Sequence, residues 1–262
     1  MFELFARGDG GTGRRGALAA ACAVAVLAGA GGCGEDGSGG GDGRAAKSPA
    51  PAATAPSAGA APSGGLTEAQ LTEAALTEGE RAGVHTVSEY VLDGPHSDMY
   101  TADPAVCQPL VSLAGDVSGH EPTAQVQRKT DILDDMRGVT VDVTLRSYPG
   151  DGAAEVMRAL GKAGTECAGG FTEERALVRA GYEKTEPAAL PPFADEADEA
   201  EAYRFTIRDV KDELKLYEYL TVLRSGSTTL AFRAESLGTE DFGGVPQEVM
   251  DAQWKKFRAA AG

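Results

Sequence analysis

Four cysteines, three histidines and two dense runs of carboxylates are the residues of this 262-residue chain whose types could do chemistry. Cys22 lies inside an apolar run, Cys33 directly follows Ala30-Gly31-Gly32, and Cys107 and Cys167 stand alone in the body of the chain. There is no CxxC, and His85, His96 and His120 show no paired spacing, so the donors of a tetrahedral zinc site are missing. Each histidine could act as a base, but no GxSxG, HExxH, phosphate loop or dinucleotide fingerprint accompanies them. The expectation is a non-catalytic protein without a cofactor. Asp131, Asp134 and Asp135, and the run Asp195, Glu196, Asp198, Glu199 and Glu201, lack the alternating ligands and turn glycine of a calcium loop. They read as solvated loops. Arg224 and Arg233, with Tyr217, Tyr219 and Phe232 nearby, could line a pocket for an apolar or anionic ligand. The alternative is core on one side of a hairpin and rim on the other.

The thiol of Cys33 has the most specific context. Arg14-Arg15 precede a 17-residue apolar run, Gly16 to Gly32, that ends in small residues. This is the charged, apolar, small order of a bacterial export signal. The run is short and rich in Ala and Gly, whereas a membrane-spanning helix needs about 20 strongly apolar residues. Sec and twin-arginine export both remain open. "LAGAGGC" resembles the lipobox of bacterial lipoproteins, in which a thiol takes up diacylglycerol and the signal is cut just before it. Gly31 and Gly32 fit that pattern; Ala30 stands where leucine is usual, and Leu27 lies six residues before the cysteine. The resemblance implies lipidation of Cys33, with two acyl chains giving stable attachment. The other reading is an ordinary secretory signal that leaves Cys33 as a free thiol.

Export also bears on the other cysteines. Disulfides persist outside the cytoplasm, so the even pair Cys107 and Cys167 reads as one bridge. Closing a loop of 60 residues would stabilise the fold by about 4 kcal/mol in the chain-entropy model. The formal charge is -16; Arg7, Arg14 and Arg15 against Glu3 and Asp9 make residues 1–32 net +1, which leaves -17 on the remainder. Nucleic acid and anionic head groups repel such a body, so nucleic acid is not expected as a partner and membrane attachment must come from something other than charge, which the lipobox resemblance implies is a lipid on Cys33.

The domain plan follows from composition. Residues 1–32 are a signal peptide. Residues 33–65 are the lipidated cysteine and a Gly, Ala, Pro and Ser tether without aromatic or large aliphatic side chains, too poor in apolar surface to order itself. Such a tether spans roughly 30 Å. Residues 66–262 form one folded extracytoplasmic domain, long enough for a substantial core.

Within it, "LTEAQLTEAALTEGE" predicts a short helix capped by Thr67. "HTVSEYVL" alternates as a strand, and Asp103-Pro104 opens a helix through about Ala114 that carries Cys107. "PTAQVQRKT" and "GVTVDVTLRSY" predict strands, the second with Val139, Val141, Val143 and Leu145 on one face. "DGAAEVMRALGKAGTEC" predicts a helix capped by Asp151, with Val156, Leu160 and Ala163 as its stripe and Cys167 just past its end. "RALVRAGYEK" predicts one strand; "PAALPPFADEADEAE" is a loop or a poor helix. Three strands follow, "AYRFTIRD", "LKLYEYLTVLRSG" and "STTLAFRAES", the last two joined at Ser225-Gly226-Ser227. A helix with Val249, Trp254 and Phe257 inward closes the chain. The class is α+β, a mostly antiparallel sheet with helices packed on its faces and one disulfide.

The order of "AVCQPL", "VTVDVTLRSYPGDGAAEVMRAL....TEC" and "YEYLTVLRSGSTTLAFRA" resembles the extracellular sensor-like domains of mycobacterial kinase receptors and related actinobacterial lipoproteins, of a PsbP-type α/β build. It covers residues 85 to 260. Those domains typically carry two disulfides, and this chain has cysteines for one. The resemblance implies a ligand-binding or sensor-like domain, its partner an unknown small ligand or an envelope protein. The alternative functions are a structural or protein-interaction lipoprotein and, after that, an unrecognised envelope hydrolase.

Overall fold

The computed structural model describes residues 65–88, 100–113, 119–132, 135, 138–175, 178–209, 211 and 213–261. The expected signal peptide, Cys33 and nearly all of the expected tether lie outside the described residues, as do His96 and Asp134.

Among the described residues ten strands make one sheet in which every neighbouring pair is antiparallel. They are β1 (Arg81–Ala82), β2 (His85–Ser88), β3 (Tyr100–Asp103), β4 (Ala124–Ile132) and β5 (Thr140–Ser147). After them come β6 (Phe171–Arg175), β7 (Val178–Pro187), β8 (Glu199–Arg208), β9 (Lys215–Ser225) and β10 (Thr228–Glu235). Their order across the sheet is β1-β2-β4-β5-β10-β9-β8-β7-β6-β3. Four α-helices accompany them among the described residues: α1 (Glu68–Ala74), α2 (Gln108–Val111), α3 (Gly152–Glu166) and α4 (Gln247–Ala261). The chain is therefore α+β, as its element pattern predicts.

Both faces of the central strands are covered, which is why successive residues of β9 and β10 are buried whichever way they point. On one face α1 and α4 pack over Val141, Val143, Leu145, Leu230, Phe232 and Ala234, with Trp254 and Phe257 at the centre. On the other, α2 and α3 pack over Phe205, Ile207, Leu220, Val222 and Ala231. Gly226, at a φ of 58°, makes the two-residue turn from β9 to β10, a left-handed conformation that favours glycine.

Two buried glutamines do the work of missing backbone partners. Gln253 of α4 accepts from the Leu76 N–H (3.0 Å) and donates to the Ala74 carbonyl (2.8 Å), satisfying the frayed end of α1. Gln108 accepts from the Ala102 N–H and donates to the Tyr100 carbonyl, both at 2.8 Å, along β3, the strand that ends the sheet. The amide thus stands where another strand would pair.

Local predictions fare unevenly. Thr67 caps α1 in a reciprocal box with Gln70. Asp151 precedes α3 as predicted but does not cap it with its side chain, because its backbone (φ -91°, ψ 8°) is already in a turn closed by the Gly152 N–H on Pro149. The helix predicted from Pro104 is a 3-10 turn, Ala105–Cys107, followed by α2, and it ends at Val111. "RALVRAGYEK" spans the end of β6, the connection and most of β7, and β3 was not foreseen. The acidic run has its second half inside β8, paired with β9. Cys107 and Cys167 form the predicted bridge, their Cα atoms 5.8 Å apart, tying the 3-10 turn to the C-cap of α3.

Candidate functional site

The face under α2 is where polar side chains converge. On β5 the residues that alternate with Val141, Val143 and Leu145 point the other way: Asp142, Thr144 and Arg146. The register sets them in rows across the sheet. Lys129, Asp142 and Arg233 form one row, Gln127, Thr144 and Ala231 the next, and Gln125, Arg146 and Thr229 the third. The middle row is short and uncharged, while arginines stand on either side of it. Over this row α2 and the residues after it hold Pro109, Val111, Ser112 and Leu113, with Tyr100 of β3 beside them. The mismatch between short floor and tall walls leaves a cleft of about 250 Å³.

The roof is fixed from below. Arg233 Nη2 donates to the carbonyls of Leu110 and Val111 (3.2 Å to the latter), satisfying orphan groups at the end of α2. The closure explains why the helix stops there and does not run on to Ala114. The Tyr148 hydroxyl donates to the Leu113 carbonyl at 3.0 Å. Burial pushes the Tyr148 pKa up, so it remains a neutral donor there.

Arg233 is itself held by an ion pair with Glu218, a residue only 3% exposed, and its guanidinium lies 5.8 Å from the Phe205 ring centre. Tyr182 Oη donates to Glu173 Oε2 (2.9 Å) and lies 3.2 Å from Glu218 Oε2. A line of buried polar groups therefore runs from Glu173 through Tyr182 and Glu218 to the roof of the cleft. At the far end, Arg146 is 4% exposed and donates from Nε to Gln125 Oε1 at 2.6 Å.

Glu235 borders the cleft and also a second, more open depression of about 560 Å³ at the ends of the same strands. Asp131 and Asp135 line this second space. Lys129 Nζ pairs with Asp131 Oδ1 at 3.3 Å, and Thr140 donates to the same oxygen at 2.9 Å.

The pocket predicted from Arg224, Arg233, Tyr217, Tyr219 and Phe232 is divided by strand periodicity. Arg233 reaches the cleft. Tyr219 and Phe232 belong to the opposite core, with Tyr217 packed beside it. Arg224 sits at the hairpin end, bound to Asp198 (3.2 Å) and Glu199 (2.8 Å). The acidic run is dispersed by specific contacts: Glu196 accepts from Trp254 Nε1 (3.1 Å), Asp198 from the Gly226 N–H (2.7 Å), and Glu201 from the Tyr203 hydroxyl (3.0 Å). Among the described residues no three His, Cys, Asp or Glu side chains are grouped to hold a metal ion. His85 is buried with Nδ1 3.5 Å from Glu248 Oε1, and His120 Nε2 lies 3.2 Å from Glu155.

Asp142, Thr144, Arg146 and Gln127 escaped the sequence reading. Their signal was the polar half of "TVDVTLRS", with Gln127 in "AQVQRKTDI", which looks like an ordinary solvated face until α2 is placed above it.

No protein-family model matches the chain, and no curated protein matches it. Among solved structures it resembles the extracellular domain of PknH from Mycobacterium tuberculosis, with a TM-score of 0.49 and 13% identity, over 75% of this chain and 97% of that one. It also resembles an Rv0999 ortholog from Mycobacterium smegmatis, with a TM-score of 0.30 and 15% identity, over 77% of this chain and 97% of that one. Both are weak likenesses to mycobacterial proteins, the first of them an extracellular domain. Among the described residues no helix is long and apolar enough to cross a membrane.

Proposed function

We propose that the chain is a lipid-anchored, non-catalytic binding module of the cell envelope, with the cleft under α2 as its ligand site. The observation that carries the binding reading is the cleft itself. It is a hollow of mixed lining, with charged groups along its floor and an apolar roof of Pro109, Val111 and Leu113. Its described lining holds acids, arginines, a tyrosine and hydroxyls, with no histidine or cysteine to act as base or nucleophile. The anchor rests on the sequence alone, on the thiol of Cys33 after Ala30-Gly31-Gly32.

The two parts are tested separately. Cys33→Ala is expected to move the protein from membranes to the soluble fraction, and unchanged retention would refute the anchor. Protein purified from its own host and weighed under native conditions should carry a small ligand that Ala231→Phe, which fills the cleft, excludes. The same native mass excess in both proteins would refute the cleft as the site.

A further inference from the structure

Resting on that reading of the cleft, we infer that its ligand is an uncharged monosaccharide. The charges around the cleft are already answered within the fold. Its lining holds two arginines and two acids, so the formal charges cancel. Arg233 is paired with Glu218 and bonded to the carbonyls at the end of α2, and Arg146 donates to Gln125. Asp142 stands in its row between Lys129 and Arg233, and Glu235 is exposed to water where the cleft meets the second depression. A ligand with a net charge would give up its hydration without gaining an unmatched partner, which is costly.

The bonding capacity left over is neutral. The side chains of Gln127 and Thr144 are half-buried in the floor, and neither bonds to another side chain or backbone group among the described residues. An amide and a hydroxyl both give and accept hydrogen bonds, as the hydroxyls of a sugar do.

Shape narrows the class. The floor is polar and the roof of Pro109, Val111 and Leu113 is apolar. A flat aromatic ring has two apolar faces, and laid between them it would cover Gln127 and Thr144 without bonding either. A pyranose turns hydroxyls down to the floor and packs its C–H groups under the roof. The cleft, at about 250 Å³, is smaller than the roughly 300–1,000 Å³ of common ligand pockets, which suits one sugar ring and excludes an oligosaccharide.

The test is titration of the full, disulfide-intact chain, followed by calorimetry and saturation-transfer NMR, with glucose, galactose and mannose. Each is compared with its amino sugar and its uronic acid at about pH 6, where the amine is protonated and the acid ionised. At least one neutral sugar should bind with a Kd of about 1 mM or tighter, and its two charged relatives about tenfold more weakly. Thr144→Val, which keeps the shape and removes the hydroxyl, and Gln127→Leu should each weaken that sugar by about threefold to tenfold. Circular dichroism checks that each variant is folded, and the charged sugars make the same point on the unaltered chain.

No binding of any of the three up to about 10 mM would overturn the inference. A charged relative that binds as tightly as its neutral parent would do so too, as would unchanged affinity in both variants. If the sugars fail while host-purified protein carries a ligand that Ala231→Phe excludes, the sugar class falls and the cleft reading stands. If neither is seen, both fall.

Discussion

The two faces of the sheet solve the same packing problem in different ways. Under α1 and α4 the core is continuous, from Leu71 and Leu76 through Phe232 to Trp254 and Phe257, and its buried glutamine, Gln253, is neutral with both ends of its amide matched. Under α2 and α3 the sheet carries Arg146, Glu173, Glu218 and Arg233, all buried or nearly so, and a disulfide. Burying charge is costly unless each group is paired and hydrogen-bonded. That face therefore adds specific contacts and a covalent tie to an apolar core of its own. The cleft explains the difference: a roof that stands off the sheet forgoes packing and must be held by other means.

The comparison can be broken most forcefully at the disulfide. Replacing Cys107 and Cys167 together by Ala should cost about 4 kcal/mol in denaturant unfolding, from the 60-residue loop it closes. A cost near zero would mean that α2 is held by packing after all. Next comes Arg233→Met, which strands Glu218 in the interior and frees two α2 carbonyls. It should cost about 3 kcal/mol, toward the low end for a buried pair because the guanidinium keeps some solvent contact. The double variant Arg233→Met with Glu218→Met should recover part of that loss. On the closed face Gln253→Ala leaves one N–H and one carbonyl unpaired, and should cost about 2 kcal/mol with no effect on ligand binding.

The smallest effect is a pH dependence at the margin of the closed face. Asp241, in the segment after β10, accepts from the Tyr219 hydroxyl (2.5 Å) and from Arg204 (2.6 Å). Burial works to raise its pKa, but the bonds from Tyr219, Arg204 and the Gly243 N–H outweigh it and hold the carboxyl below its usual range. A carboxylate depressed on folding stabilises the fold above its unfolded pKa of about 3.9 and loses that contribution as pH falls through the folded value. Melting curves of Asp241→Asn should therefore converge with the parent below about pH 4 and separate above it. Parallel curves throughout would show that the ionised form contributes nothing.

Much of the fold was legible because local chemistry and tertiary demand agree. The alternation of β5, the stripe of α3, the turn at Gly226 and the pairing of Cys107 with Cys167 all follow from short-range pattern or from the arithmetic of an even cysteine pair in a chain read as exported. Strands β3 and β6 were illegible because "YTAD" and "FTEER" are polar and short. They are strands by virtue of their neighbours, and β3 also of the Gln108 amide. Gly164 shows the same dependence: a side chain there would meet the Tyr203 ring at 2.2 Å, a contact that no reading of α3 alone reveals. The cleft is the extreme case. Its floor comes from β4, β5 and β10 and its roof from a segment that precedes them all, so local periodicity does not bring them together.

The most direct test of the account is a crystal structure of the disulfide-intact protein purified from its own host. The prediction is that α2 stands off the sheet above Thr144 and Ala231, with density for a small molecule within hydrogen-bonding distance of Thr144. Val111 and Leu113 packed directly onto Thr144 and Ala231, leaving no space between them, would contradict it.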